Sequence, residues 1–233
     1  VSPATTRTIV APDADGVLPV LVGTSVMLGG VSYPVSGANN TAVGSQAGDA
    51  ITTGARNSAF GSTALSAVTT GVDNTGVGYN AGVALTTGNR NTALGSGSLA
   101  SDMAGNNNVA VGYNAMAASS GSDNTAVGSA ALSTLAGGTR NVAVGTDALL
   151  TFDSDDNTAV GYHASRSMIN GANNVSMGSY AMFSNLNGTE GVAIGAEALY
   201  STTAAGNTAV GYQAITNVST GVHNVAVGHQ VGS

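Results

Sequence analysis

A five-residue motif, Asn-[Thr/Val]-Ala-[Val/Ile]-Gly, recurs from residue 40 to the end of the chain with almost constant spacing. Its closing glycines are Gly44, Gly61, Gly78, Gly95, Gly112, Gly128, Gly145, Gly161, Gly178, Gly195, Gly211 and Gly228. Asparagine opens it at Asn40, Asn57, Asn74, Asn91, Asn108, Asn124, Asn141, Asn157, Asn174, Asn207 and Asn224. The step from one glycine to the next is 17, 17, 17, 17, 16, 17, 16, 17, 17, 16 and 17. Twelve copies held at that spacing are the signature of stacked units, each of which must meet its neighbours in one register. A disordered low-complexity segment is under no such constraint. Disordered chains are also poor in β-branched residues, whereas this one is rich in Val and Thr and has a positive mean hydropathy.

Each copy predicts local structure. Asn40-Thr41-Ala42-Val43-Gly44 alternates with period two, a strand signal. Thr41 and Val43 are expected on one face, with Ala42 and Gly44 on the other, where a second backbone approaches closely. Three residues after the glycine comes a second small apolar position, as in Ala47, Ala64, Ala81, Ala115, Ala131 and Ala148, often followed by Leu65, Leu132 or Leu149. Thr53-Gly54, Thr70-Gly71 and Thr87-Gly88 then read as turns. Asn and Gly are expected to mark the corners because both tolerate positive φ. The chain is thus an all-β parallel β-roll or β-solenoid of about twelve coils of 16–17 residues. Each coil is expected to hold two short strands and two turns. With coils about 4.8 Å apart the rod is roughly 60 Å long.

Composition agrees with a thin core. Gly supplies 34 of 233 residues, charged residues 7% and aromatics 4%, and the apolar fraction is mostly Ala and Val. A net charge of −7 without any Lys argues against a nucleic-acid partner. The longest apolar stretch, Gly16 to Leu28, is too short to span a bilayer and contains Pro19.

The residue before the motif asparagine tests the stacking independently. It runs Arg56, Asp73, Arg90, Asn107, Asp123, Arg140, Asp156, Asn173 and Glu190, and takes up three of the five arginines. In a parallel in-register stack these side chains lie side by side, so the alternating charge reads as a register device.

Asn-Thr-Ala-Val-Gly with a downstream Ala resembles the head repeats of YadA-like trimeric autotransporter adhesins. It resembles still more closely the Thr-Gly-x-x-Asn-Thr-Ala-Val-Gly arrays of phage tail-fibre proteins. The lead-in Thr6-Arg7-Thr8-Ile9-Val10-Ala11-Pro12-Asp13-Ala14-Asp15-Gly16-Val17-Leu18-Pro19 is similar to a segment that often precedes such arrays in tail fibres. The resemblance implies a left-handed, homotrimeric roll. Residues 1–36 would form a lead-in or connector that meets other tail or fibre proteins, and residues 37–233 the repeat array. It further implies a virion or cell-surface location and a host-surface glycan or protein as partner. Adhesin head repeats are a little shorter than the repeats of this chain, and no coiled-coil stalk, anchor or chaperone domain is recognisable.

No catalytic constellation, cofactor motif or metal-ligand spacing is visible, and the expectation is a protein that is not an enzyme. His163, His223 and His229 have no nucleophile motif beside them. Asp153-Ser154-Asp155-Asp156-Asn157 is the densest acidic run, but it lacks the Gly and distal Glu of a Ca²⁺ loop and reads as a solvated turn. The residue after the motif glycine is tyrosine at Tyr79, Tyr113, Tyr162 and Tyr212. Such tyrosines either fill space between subunits or recognise a glycan or protein. The leading expectation is a fibre or adhesion protein. A regular solenoid with rows such as Thr52-Thr53, Thr69-Thr70 and Thr86-Thr87 is also the form an ice-binding surface takes, though the rows fail at Met103-Ala104 and Ser119-Ser120.

Overall fold

The computed structural model describes residues 26–28, 39–101, 104–118, 120–135, 137–218 and 220–232. Within them the chain is all-β and winds as a solenoid whose motif strands stack into one parallel sheet of 13 strands in chain order. Twelve of the strands are the motif itself, from Thr41–Val43 and Ser58–Phe60 through to Val225–Val227. Every pairing is in register, as in Thr41↔Ser58, Ala42↔Ala59 and Val43↔Phe60. The coils that are one residue shorter hold the same register, as Val109↔Thr125 and Ala110↔Ala126 show. A thirteenth strand, Val26–Leu28, pairs with Thr41–Val43 and lies inside the segment expected as a lead-in. The Thr6–Pro19 resemblance falls wholly outside the described residues.

Two expectations about the coil change. The motif strand recurs in every coil, but a second strand forms only where Thr134–Leu135 pairs with Thr151–Phe152 and Ser201–Thr202 with Asn217–Val218, among the described residues. Elsewhere the return path is a chain of turns. Ala64 N donates to Gly61 O at 3.3 Å, while Leu65 N reaches the next coil at Ala81 O, 2.9 Å away. The valines are also not the core. Ala42, Ala59, Ala93 and their equivalents point inward and are buried, whereas Thr41 and Val43 face outward. The bulk of the interior comes from the residue four after the glycine, as in Leu65, Leu99, Met116, Leu132 and Leu149. A column seven after it (Ile51, Val68, Leu85, Met168) completes the packing.

Positive φ is used differently from the expectation. Leu65, Leu99, Leu132 and Leu149 sit at φ 48–50°. The left-handed region costs a leucine about 1–2 kcal/mol, and full burial of its side chain returns about 1.5–3 kcal/mol. Burial therefore wins, and an apolar residue holds a corner where Gly or Asn was expected. The motif glycine answers to another demand. Gly44 has φ +132°, and a Cβ placed on it would lie 2.5 Å from Gly61 O. The close backbone approach is thus made along the stack, between coils, rather than across the core.

The motif asparagines form a buried ladder. Asn57 donates through Nδ2 to Gly71 O at 2.8 Å, closing its own coil. Its Oδ1 accepts from Asn74 N at 3.0 Å and from Asn74 Nδ2 at 3.0 Å, tying it to the next. The carbonyl reached lies 14 positions on in most coils and 13 on in the shorter coils, as in Asn108 to Gly121 and Asn141 to Ser154. Such satisfaction is what lets an amide sit at zero exposure in an apolar stack.

Candidate recognition surface

The outward strand face carries two columns. The third strand residue is apolar in every coil: Val43, Phe60, Val77, Leu94, Val111, Val127, Val144, Val160, Met177, Ile194, Val210 and Val227. These side chains stay partly or well exposed, with Phe60 at 40%, Leu94 at 45% and Met177 at 44%. The first strand residue alternates irregularly between Thr or Ser and Val, from Thr41 to Val225. An unbroken apolar row along the whole rod is more than a monomer's scattered surface hydrophobics.

The charged column lies on the corner before the motif asparagine, at φ near +60°. Arg56 grips Asp73 with two bonds, Nε–Oδ1 at 2.5 Å and Nη2–Oδ2 at 2.8 Å. Arg140 does the same to Asp156 at 2.6 and 2.8 Å. Between them Arg90 donates to Asn107 Oδ1 at 2.6 Å, and Asn107 Nδ2 donates to Asp123 Oδ1 at 2.8 Å. The hydrogen bond from Arg56 holds the Asp73 carboxyl below the usual carboxylate range, and that from Arg140 does so for Asp156.

A second external ladder, which periodicity did not single out, runs two residues after the motif glycine, on the corner flanking the strand face. Thr63 Oγ1 donates to Asn80, His163 Nε2 lies 3.1 Å from Asp147 Oδ2, and Gln230 Nε2 donates to Gln213 Oε1 at 2.8 Å. Gln213 in turn donates to Glu197 at 2.6 Å. The residues in this column share no chemistry, so no sequence pattern announces it.

The four tyrosines all project to solvent, at 60% for Tyr79, 62% for Tyr113, 48% for Tyr162 and 43% for Tyr212. They are not brought together as one site. Tyr79 and Tyr113 stand two coils apart with Ser96 between them. Tyr212 meets His229 at 5.2 Å, and Tyr162 stacks on His163 at 3.7 Å. The acidic run is already engaged. Asp155 Oδ1 accepts from Thr139 N at 2.7 Å and from Thr139 Oγ1 at 3.0 Å, and Asp156 is bound to Arg140. Among the described residues no group of three His, Cys, Asp or Glu is placed to hold a metal ion, and no helix is long and apolar enough to cross a membrane.

No protein-family model, curated protein or solved structure matches the chain. What is established is its class: a parallel β-solenoid of short, near-identical repeats, each contributing one motif strand to the sheet.

Proposed function

We propose that the chain is a structural fibre or adhesion protein: a tail-fibre shaft or receptor-binding region that works as a homotrimer and attaches a particle to a host surface. The observation that carries this reading is the continuous apolar column from Val43 to Val227 on the outward strand face. In water such a row favours contact with a matching row. A second and third copy aligned along the rod axis offer the same row over its full length. The rigid in-register stack supplies reach, and the variable corners supply recognition. A bacterial trimeric surface adhesin would use the same architecture.

The native mass in solution, from light scattering after size exclusion, tests the reading. Three times 22.4 kDa is the expected result. Val127→Asp combined with Val144→Asp, two adjacent members of the column, should shift the protein to monomer while leaving its β-sheet circular dichroism intact. A monomer at every concentration for the unsubstituted chain overturns the trimeric fibre.

The outward strand face also supports one reading of a different class. Thr41, Thr75, Thr92, Thr125, Thr158 and Thr208 share a column on it, interrupted by Ser58 and by Val109, Val142, Val175, Val192 and Val225, which is a partial form of the row an ice-binding surface needs. The corner rows contribute less, because Thr52 Oγ1 donates to Thr69 O at 3.0 Å and Thr69 Oγ1 to Thr86 O at 3.1 Å. Thermal hysteresis from a monomeric protein would select ice binding, and its absence would remove it.

A further inference from the structure

The chain contains only seven Tyr and three Phe. Four of those ten join His163 in a single contact network over three successive coils. Tyr162 stacks on His163, with ring centroids 3.7 Å apart and planes 19° from parallel. Tyr180 meets Tyr162 and His163 edge-on at 5.5 and 5.1 Å. Phe183 touches Tyr180 at 5.3 Å and lies parallel to Tyr200 at 5.2 Å.

Tyr180, Phe183 and Tyr200 are half-buried and Tyr162 is 48% exposed. The core of the same coils is completed by Ala164, Met168, Ala181, Met182, Ala198 and Leu199, all fully buried. Phe183 and Tyr200 stand five residues after the motif glycine. That position is Ser66, Val83, Ala100 or Ser133 in coils of the same backbone register. Large rings stacked outside a filled core leave partly exposed apolar area on this corner.

The polar groups beside the rings narrow the ligand. Asp147 Oδ2 receives His163 Nε2 at 3.1 Å and Arg166 Nε at 3.5 Å. Arg166 is the one described arginine outside the charged column. A guanidinium has five N–H donors, and Asp147 engages this one through Nε. The carboxylate is met by a cation, so the corner carries no excess charge that would call for an acidic or a basic ligand. Flat apolar rings beside a carboxylate and a guanidinium suit a molecule with C–H faces and a hydroxyl rim. Tyrosine supplies that contact area at low cost in side-chain entropy. Tyr162 and Tyr200 are two coil steps apart, roughly 10 Å, enough for a short oligosaccharide.

We propose that Tyr162, Tyr180, Phe183 and Tyr200, with Asp147 and Arg166, form a binding platform for a neutral saccharide. The proposal rests on the host-attachment reading and specifies the chemistry of the surface recognised. Linear gluco-, galacto- and manno-oligosaccharides titrated into the intact protein provide the test. The chain has no Trp, so tyrosine emission reports directly. A saturable change is expected with at least one of the three. Phe183→Ala and Arg166→Ala should each weaken it tenfold or more, while Tyr79→Ala leaves it unchanged. Arg166→Ala removes no buried apolar side chain, so it keeps the test sharp if Phe183→Ala fails to fold. No saturable change with any of the three sugars overturns the platform, as does an equal loss in Tyr79→Ala. A changed native mass in Phe183→Ala also overturns it and assigns the corner to contact between copies. A trimer that binds no sugar sinks the platform alone, whereas a monomer that binds sugar sinks the trimeric fibre alone.

Discussion

Arg56 and Asn57 are neighbours in the chain, and each meets its counterpart in the next coil, yet the two columns they begin are different devices. The asparagine column is buried, neutral and nearly invariant. In most coils the amide closes its own coil and clasps the next, as at Asn57. The charged column, one residue away, is exposed, varies in sequence and meets its partners through water-accessible atoms, with Arg56 side-chain exposure at 57%. Burial decides the difference. An unsatisfied buried amide or carbonyl costs about 1–3 kcal/mol, whereas exposed ion pairs are screened and weak. Stability therefore resides in the inner column, and the exposed outer one contributes little to it.

Asn124→Ala breaks the inner column at its middle. It strands Gly138 O, bonded at 2.9 Å, and Asn141 N, which donates to Asn124 Oδ1 at 2.9 Å. The expected loss is about 2–4 kcal/mol, from two unsatisfied buried groups. The adjacent exposed substitution Asp123→Ala should change stability far less. Urea midpoints for the two variants, measured side by side, read the contrast. Equal midpoints would show that the buried amides carry no special share of the stability.

The molecule already contains one gap in the inner column. Gly191 stands where the motif asparagine belongs, and its N–H still donates to Asn174 Oδ1 at 2.8 Å. This coil is one of the shorter ones, so the absent amide would reach Ala204 O. That carbonyl is taken instead by Asn207 Nδ2 at 3.3 Å. Asn185, buried at the column seven after the glycine, bonds both polar groups of Gly188, at 2.7 and 3.3 Å. A Cβ on Gly191 would meet the terminal methyl of Met182 at 2.7 Å, the far end of a flexible side chain. Gly191→Asn alone should therefore be close to neutral. Paired with Met182→Leu, the residue type that fills the same place at Leu65 and Leu132, it should raise stability by about 1 kcal/mol, from restored hydrogen bonds and a stiffer unfolded chain. Thermal melting of the single and double variants checks this. No gain in the double variant would mean that Asn185 and Asn207 already replace the missing rung in full.

The solenoid, its period and the charged column were legible in the sequence because each is a repetition, and repetition survives without any knowledge of contacts. The direction of side chains was less so. Period two correctly separates Ala42 from Val43, but it does not say which of the two faces the interior. That was decided by a thin core in which Leu65 and Leu132 already occupy the available space. The second ladder and the aromatic corner were invisible for the opposite reason. Asp147, His163, Tyr180 and Glu197 occupy one column with unlike residues, so only the stacked backbone reveals that they are neighbours. Reading tyrosines at a single repeat position found Tyr162 and missed Tyr180, Phe183 and Tyr200, which meet it from other positions and other coils.

The smallest effect expected is that of pH on the outer column, and it sharpens the comparison because the asparagine column does not titrate. Asp73 and Asp156 are held below the ordinary carboxylate range, chiefly by the hydrogen bonds from Arg56 and Arg140. A carboxyl depressed in the folded state stabilises it at pH values above its unfolded pKa, about 3.9 for Asp. That contribution is lost as pH falls through the lower, folded value. The melting temperature should therefore be insensitive to these two groups between pH 7 and about pH 5 and fall as acid is added below about pH 4. Asp73→Asn with Asp156→Asn keeps acceptor oxygens for both arginines but removes the titration. Its melting curve should start slightly lower at pH 7 and converge on that of the unsubstituted protein in acid. High salt at pH 7 should narrow the gap in the same way. If the gap persists unchanged at pH 2, the outer column acts through shape and hydrogen bonding, and its alternating charge does not set the register.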